Sequence, residues 1–347
     1  MDREIVVTPA SETRARAATL ALVTAAAAVV VGLTLVTVFE SLPLSVQFVP
    51  LVASVLLVGL PHGAVDHLVI PRTRGEPATL RWIAAIGLLY LVLGGAYLVL
   101  WFLEPTAAFV GFLFLTVVHW GQGDVYALVE LVGVDHLRTR FDRLLALFVR
   151  GGTPIVVPLV AFPDQYAFVA GTIVGAFDSD AAPALAAAFD PMVRGAIGAV
   201  FVTLVIASLV RGFRRADSIR SWLIDVTELG SLVVFFASVP PILAIGLYFS
   251  LWHSVRHVLR AMLVDDRASA AIERGDVRAA SVRFARDAAP LTAGAVVIVA
   301  GLALLVPRTP TTVPEGVAVY LVTLAALTLP HAVVVSALDR EQRLWSV

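Results

Sequence analysis

An all-α, polytopic membrane bundle of about ten helices is the fold this sequence predicts, on three observations. Hydrophobic residues make up 59% of the 347 positions and the mean hydropathy is +0.91, far outside the range of a soluble globular domain. Apolar runs of about 17 to 25 residues, the length that crosses a hydrocarbon core as a helix, recur along nearly the whole chain. Arginines cluster in alternate connections, which is how short cytoplasmic loops are marked.

The spans are expected at 17–39, 45–70, 82–102, 106–127, 144–162, 192–210, 222–238, 241–260, 290–306 and 317–338. Before them, residues 1–16 are polar and show no small-residue cleavage site, which reads as a cytoplasmic tail and not as a secretory signal. The seventh and eighth spans are separated only by Val239-Pro240-Pro241, so nine helices are a possible count. With ten, one side receives Arg3, Arg14 and Arg16, then Arg72, Arg74 and Arg81, then Arg138, Arg140 and Arg143. The same side receives Arg211, Arg214, Arg215 and Arg220, the cluster from Arg260 to Arg286, and finally Arg340 and Arg343. The other side has Arg194 and Arg308 among acids such as Glu40, Glu104, Asp164, Asp178 and Asp180. Both termini are therefore expected in the cytoplasm, and merging spans seven and eight would spoil the alternation. Arg150 falls inside the fifth span, in its cytoplasmic half.

The whole chain, 1–347, reads as one integral membrane domain, with the plasma membrane as its expected location. Two connections exceed a turn: 164–191 on the outer side and 264–290 on the inner side. Both have the pattern of interfacial amphipathic helices, and a solvated charged loop fits the inner one equally well. A net charge of −1 argues against nucleic acid as a partner. Cysteine is absent, which excludes disulfides, thiolate metal sites and cysteine nucleophiles. Lysine is absent too, so a retinal Schiff base of the opsin kind cannot form.

Five of the seven histidines, His62, His119, His253, His257 and His331, lie in or at the ends of these apolar runs. One such residue is most simply a hydrogen-bonded member of the bundle; five point to binding or reaction, because polar groups in lipid are costly. Spans two, four, eight and ten all run from outside to inside. At 1.5 Å of rise per residue, His119, His253 and His331 sit roughly 18 to 22 Å from the outer ends of their helices. His62 and His257 fall nearer the cytoplasm, within reach of a common site if the second span bends at Pro61. In Trp252-His253-Ser254-Val255-Arg256-His257 the two histidines are four apart and share a helix face, so both can serve one metal ion.

Asp66 follows His62 by a turn, and Gln122 and Asp124 follow His119 closely. A metal-bound imidazole commonly donates its other N–H to such a group, although helix-end positions would explain both acids. His331 is placed to act as a ligand or as a polar contact. His67 points largely to another face, and His136 lies in an arginine-rich loop, where solvation is the simple reading. Arg256 can snorkel to the headgroups, and Glu228 is either a site carboxylate or an interfacial residue. Trp120, Tyr248 and Trp252 could line an apolar channel or belong to an aromatic belt.

Neutral imidazoles suit zinc, copper, iron and nickel, so ligand type alone does not choose the metal. Four histidines would leave an octahedral Fe(II) two open positions. The apolar setting suggests a lipid-soluble substrate.

Pro61 to His67 (PHGAVDH), His119 to Asp124 (HWGQGD), Trp252 to His257 (WHSVRH) and Leu329 to His331 (LPH) resemble the motifs of the Brp/Blh family, in the same order from the second span to the tenth. These are the membrane-embedded β-carotene 15,15′-dioxygenases of rhodopsin-bearing archaea and bacteria. The resemblance implies an Fe(II) enzyme that splits the central double bond of β-carotene with O2, giving two all-trans-retinal that can supply a rhodopsin. It places the iron ligands on His62, His119, His253 and His257, with no departure at these positions. A membrane di-iron desaturase would need more histidine boxes than the one HxxxH present. A transporter would show an inverted repeat or a pair of broken helices. A carotenoid carrier would bind its cargo and leave it uncut.

Overall fold

The computed structural model describes residues 11–180 and 182–346. Most of the expected N-terminal tail, including Arg3, lies outside the described residues. Ten helices among the described residues are long and apolar enough to cross a membrane: Ser11–Val38, Leu44–Thr73, Leu80–Leu103, Pro105–Val132, Arg140–Ala161, Pro191–Arg215, Ile219–Ser238, Pro241–Leu263, Val277–Leu305 and Val313–Glu341. No strand occurs among them. The chain is thus an all-α, multi-pass membrane bundle. The seventh helix ends at Ser238 and the eighth starts at Pro241, which decides the count: Pro240 and Pro241 cannot both continue a ladder for which they have no N–H.

Sequence patterning explains the ends of several helices. Thr139 and Thr312 each open a span with a capping box, completed by Asp142 and Glu315. Asp276 caps Val277–Leu305 by accepting from the Ala279 N–H. That cap starts the ninth helix well before residue 290, where the apolar run suggested it would begin. Pro290 is accommodated inside the helix, and the arginine-bearing turns ahead of it join the span, burying Ala280, Phe284 and Ala288. The inner connection therefore shrinks to the short helix Asp266–Glu273 and its flanking turns. On the opposite side, the longer connection forms the helix Pro163–Gly175 and a tight 3-10 segment, Ala182–Phe189.

The eighth span is the most enclosed, with 72% of its apolar window buried, and the tenth follows with 61%; the third and sixth have 11% and 6%. Spans eight and ten thus form the centre, while three and six face outward. Small residues let backbones approach where the fourth and fifth spans cross. A side chain on Gly121 would strike the Leu147 carbonyl, and one on Gly151 the Val117 carbonyl.

Wide π-helical turns interrupt four spans, at Val55–Gly59, Tyr90–Gly94, Ala127–Val132 and Tyr248–His253. Two of them lie at histidines. In the second span, Val55–Gly59 leads into Pro61, and the ladder then tightens so that the Ala64 N–H bonds the Pro61 carbonyl and the Leu68 N–H the Val65 carbonyl. The helical ladder of the second span is therefore irregular on both sides of His62.

Candidate metal centre

The second span, the fourth, the eighth and the tenth bring imidazoles together in one buried cluster, the eighth supplying two. His62, His119, His253, His257 and His331 are all at most 8% exposed. One ring nitrogen from each of His62, His119 and His253 lies within 4.8 Å of the others, and the same holds for His119, His257 and His331. Ring centroids are 4.5 Å apart for His253 and His257, 4.7 Å for His119 and His257, and 5.5 Å for His62 and His253. The Nε2 atoms of His119 and His253 approach to 3.2 Å. Two nitrogens each about 2.1 Å from a divalent ion lie at most about 4.2 Å apart, so side-chain adjustments of a few tenths of an ångström bring the widest pairs within each triad into range.

Hydrogen bonding fixes how two rings point. His62 Nδ1 meets the Gly59 carbonyl, and His331 Nδ1 meets both Asp66 oxygens at 2.9 and 2.8 Å. Carbonyls and carboxylates can only accept, so in both rings the proton sits on Nδ1 and the Nε2 lone pair is free. His257 Nε2 is buried without a partner and packs on Gly123, where a Cβ would come within 2.6 Å of it. Buried, unpartnered imidazole nitrogens on converging rings, with no thiolate nearby, are a donor set that could hold a nitrogen-ligated metal ion.

Asp66 does not reach His62, its neighbour one turn earlier in sequence. The tight turn at Ala64 and Val65 rotates it onto His331, and the Tyr90 hydroxyl donates to it at 2.6 Å. Gln122 donates to the Ser336 hydroxyl at 2.9 Å and ties the fourth span to the tenth.

Asp124 is part of a buried ionic network. It accepts from Arg150 at 3.0 Å, Arg256 at 2.7 Å and the Trp252 indole at 3.0 Å. Arg150 and Arg256 also bond Glu228, Arg150 reaches Asp225 at 2.6 Å, and His136 meets Asp225 at 2.9 Å. His136 is 1% exposed and Arg256 2%, which corrects both the solvated-loop reading of His136 and the snorkelling reading of Arg256. Arg256 stacks over Trp252 at 4.5 Å. Because Arg256 lies between His253 and His257 on the eighth span, its two carboxylate partners set the helix rotation that turns both imidazoles inward.

Two cavities meet at the cluster. One is lined by His62, His119, His253, Trp120 and Phe249, and extends to Tyr166 and Ile173 on the helix Pro163–Gly175. The other is lined by His62, His67, His331, Asp66 and Tyr90, and runs between Ile83 and Ile86 of the third span and Leu291 and Ile298 of the ninth. They share His62, Leu324 and Thr328. Trp120 lines the first cavity; Tyr248 stands behind it, 5.0 Å from the Trp120 ring, and Trp252 faces the ionic network.

The family profile described as β-carotene 15,15′-dioxygenase matches residues 53–339, which contain all five clustered histidines. This chain belongs to that family. Among curated proteins it is 44% identical over 302 residues to a probable β-carotene 15,15′-dioxygenase, Blh, of Halobacterium salinarum, covering 87% of each chain. It is 33% identical over 324 residues to the probable β-carotene 15,15′-dioxygenase Brp of the same species, covering 88% of each. A shorter match, 25% over 119 residues, covers 30% of this chain and 43% of a β-carotene 15,15′-dioxygenase of uncultured marine bacterium 66A03. No solved structure matches.

Sequence reasoning missed Arg150, Asp225 and His136 in this dioxygenase-family bundle. A signal for the first two existed. Arg150 lies inside an apolar span with no acid on its own helix face, and Asp225 precedes Glu228 by three residues, which puts two carboxylates on one face.

Proposed function

We propose that the histidine cluster holds one Fe(II) ion on His62, His119, His253 and His257, and that the protein uses O2 to cleave the central 15,15′ double bond of β-carotene into two all-trans-retinal. Family membership supports β-carotene as substrate and carotenoid cleavage as reaction. The observation that carries the site is the convergence of imidazoles from four separate spans at the junction of two mainly apolar cavities.

β-Carotene is an apolar rod about as long as a bilayer is thick, so it partitions into lipid and reaches its enzyme from there. Central cleavage needs the polyene midpoint at the metal and space for a ring on each side. Two mainly apolar cavities that both border His62 offer that space on either side of the cluster. Phe249 and Trp120 offer flat apolar surface beside the histidines. The iron supplies oxygen binding and activation. The protein's part is to hold the double bond in register, to keep the imidazoles neutral and oriented, and to exclude water.

The arginine-rich ends of the helices are placed in the cytoplasm by the charge rule, with the plasma membrane as host and a rhodopsin as the consumer of retinal. Expression in cells that make β-carotene tests the reading. Retinal should accumulate as the orange colour fades, and His253→Ala or His257→Ala should abolish it. Cells that stay orange with the intact protein in the membrane would refute it, as would eccentric apocarotenals as the main products.

A further inference from the structure

We propose that His331 is a fifth nitrogen ligand of the same ion, and that Asp66 and Tyr90 are the residues that position it. The proposal rests on the metal reading above and adds a ligand to it.

The geometry of His331 is that of a metal-bound imidazole with its supporting carboxylate. Its Nδ1–H is given to both Asp66 oxygens at 2.9 and 2.8 Å. Its Nε2 is buried and has no partner. The ring lies among the others, with centroids 4.7 Å from His119, 5.0 Å from His62 and 5.6 Å from His257. Metal-ligating histidines characteristically hand their second N–H to a carboxylate or carbonyl, which fixes the tautomer and strengthens the donor. Among the described residues His331 is the clustered histidine with a carboxylate in that role. A purely structural pair joining spans two and ten would satisfy Nδ1 and strand Nε2 in a buried site, which is unfavourable.

Tyr90 completes the arrangement. Its hydroxyl donates to Asp66 Oδ2 at 2.6 Å from the start of the wide turn Tyr90–Gly94. Asp66 is therefore held from the third span while it holds a ring from the tenth, and the tight turn after His62 is what swings it into place. The two nitrogen triads share His119 and a neutral imidazole has a single lone pair to give, so the triads cannot each hold an ion on three imidazoles, and the cluster is assigned one. Five imidazoles would leave an octahedral ion one open position in place of two.

The test uses purified full-length protein loaded anaerobically with Fe(II), with X-ray absorption to count imidazoles and chelator competition to measure affinity. Wild type should hold one ion fitted by five imidazoles. His331→Ala should hold one ion fitted by four and bind it roughly 10- to 100-fold more weakly, and Tyr90→Phe should keep five with a smaller loss. Should His331→Ala fail to fold, the wild-type count and the Tyr90→Phe affinity decide. Four imidazoles in wild type with unchanged affinity in Tyr90→Phe overturns this proposal alone, as do two ions per chain. A wild-type protein that takes up no iron overturns the metal reading together with it.

Discussion

Gly123 has no side chain because His257 occupies the space one would fill. A Cβ there would stand 2.6 Å from His257 Nε2, and the ring cannot retreat while His253 lies 4.5 Å away on the same helix face. Gly123→Ala is therefore expected to lower bound iron and retinal formation at least tenfold while the bundle still assembles, as read by metal analysis and gel filtration of the same sample. Tyr248 gives the opposite expectation. Its hydroxyl is buried without a partner, so Tyr248→Phe removes an unsatisfied group and should leave thermal stability unchanged or raised. If Tyr248 borders substrate, the variant's KM for β-carotene will rise; its place behind Trp120 predicts that it does not. The sequence made the five histidines conspicuous by their apolar surroundings. It could not show that Asp66 serves His331, because that pairing depends on a backbone turn at Ala64 and Val65 that no residue pattern announces.

Span eight is where single contacts become the behaviour of an element. Its orientation depends on Arg256, which holds Asp124 of span four and Glu228 of span seven in surroundings that exclude water. Breaking a buried pair strands the remaining charge, a loss of about 3–5 kcal/mol. Arg256→Ala should destabilise the detergent-solubilised protein by that order and release iron, a combination that thermal melting and metal content will reveal together. A second ionic joint, outside the spans, makes stability depend on pH. Burial alone would raise the Asp265 carboxyl, but hydrogen bonds from Arg283 and the Ala268 N–H, with the charge of Arg72, outweigh burial and hold it below its ordinary 3.8. A depressed folded-state value means the contribution is fully present above 3.8 and disappears as the pH falls through the lower folded value. Melting temperatures measured downward from pH 6 should fall more steeply below pH 4 for wild type than for Asp265→Asn. The spans themselves were legible as apolar runs between arginine clusters, whereas the four wide turns were not, since a π-helical turn differs from its neighbours in hydrogen-bond register and not in composition. The start of the ninth helix was misjudged for a related reason: Pro290 looks like a beginning until the Asp276 cap is seen.

The molecule as a whole is a membrane bundle with two cavities that both border its histidine cluster. Its ten-span count was legible because hydropathy and arginine placement agree, and the cavities were not, because voids belong to packing and leave no periodic trace. Leu324 and Thr328 border both cavities beside His62. Thr328→Trp should therefore block passage of the polyene and abolish retinal formation with iron content intact, separating substrate threading from metal binding. The central claim is that four imidazoles from three membrane-crossing helices share one ion. Anomalous diffraction at the iron absorption edge from crystals of the Fe(II)-loaded protein tests it most directly. The account predicts a single iron peak enclosed by the side chains of His62, His119, His253 and His257. An iron peak elsewhere, or an ordered histidine cluster without iron, would contradict it.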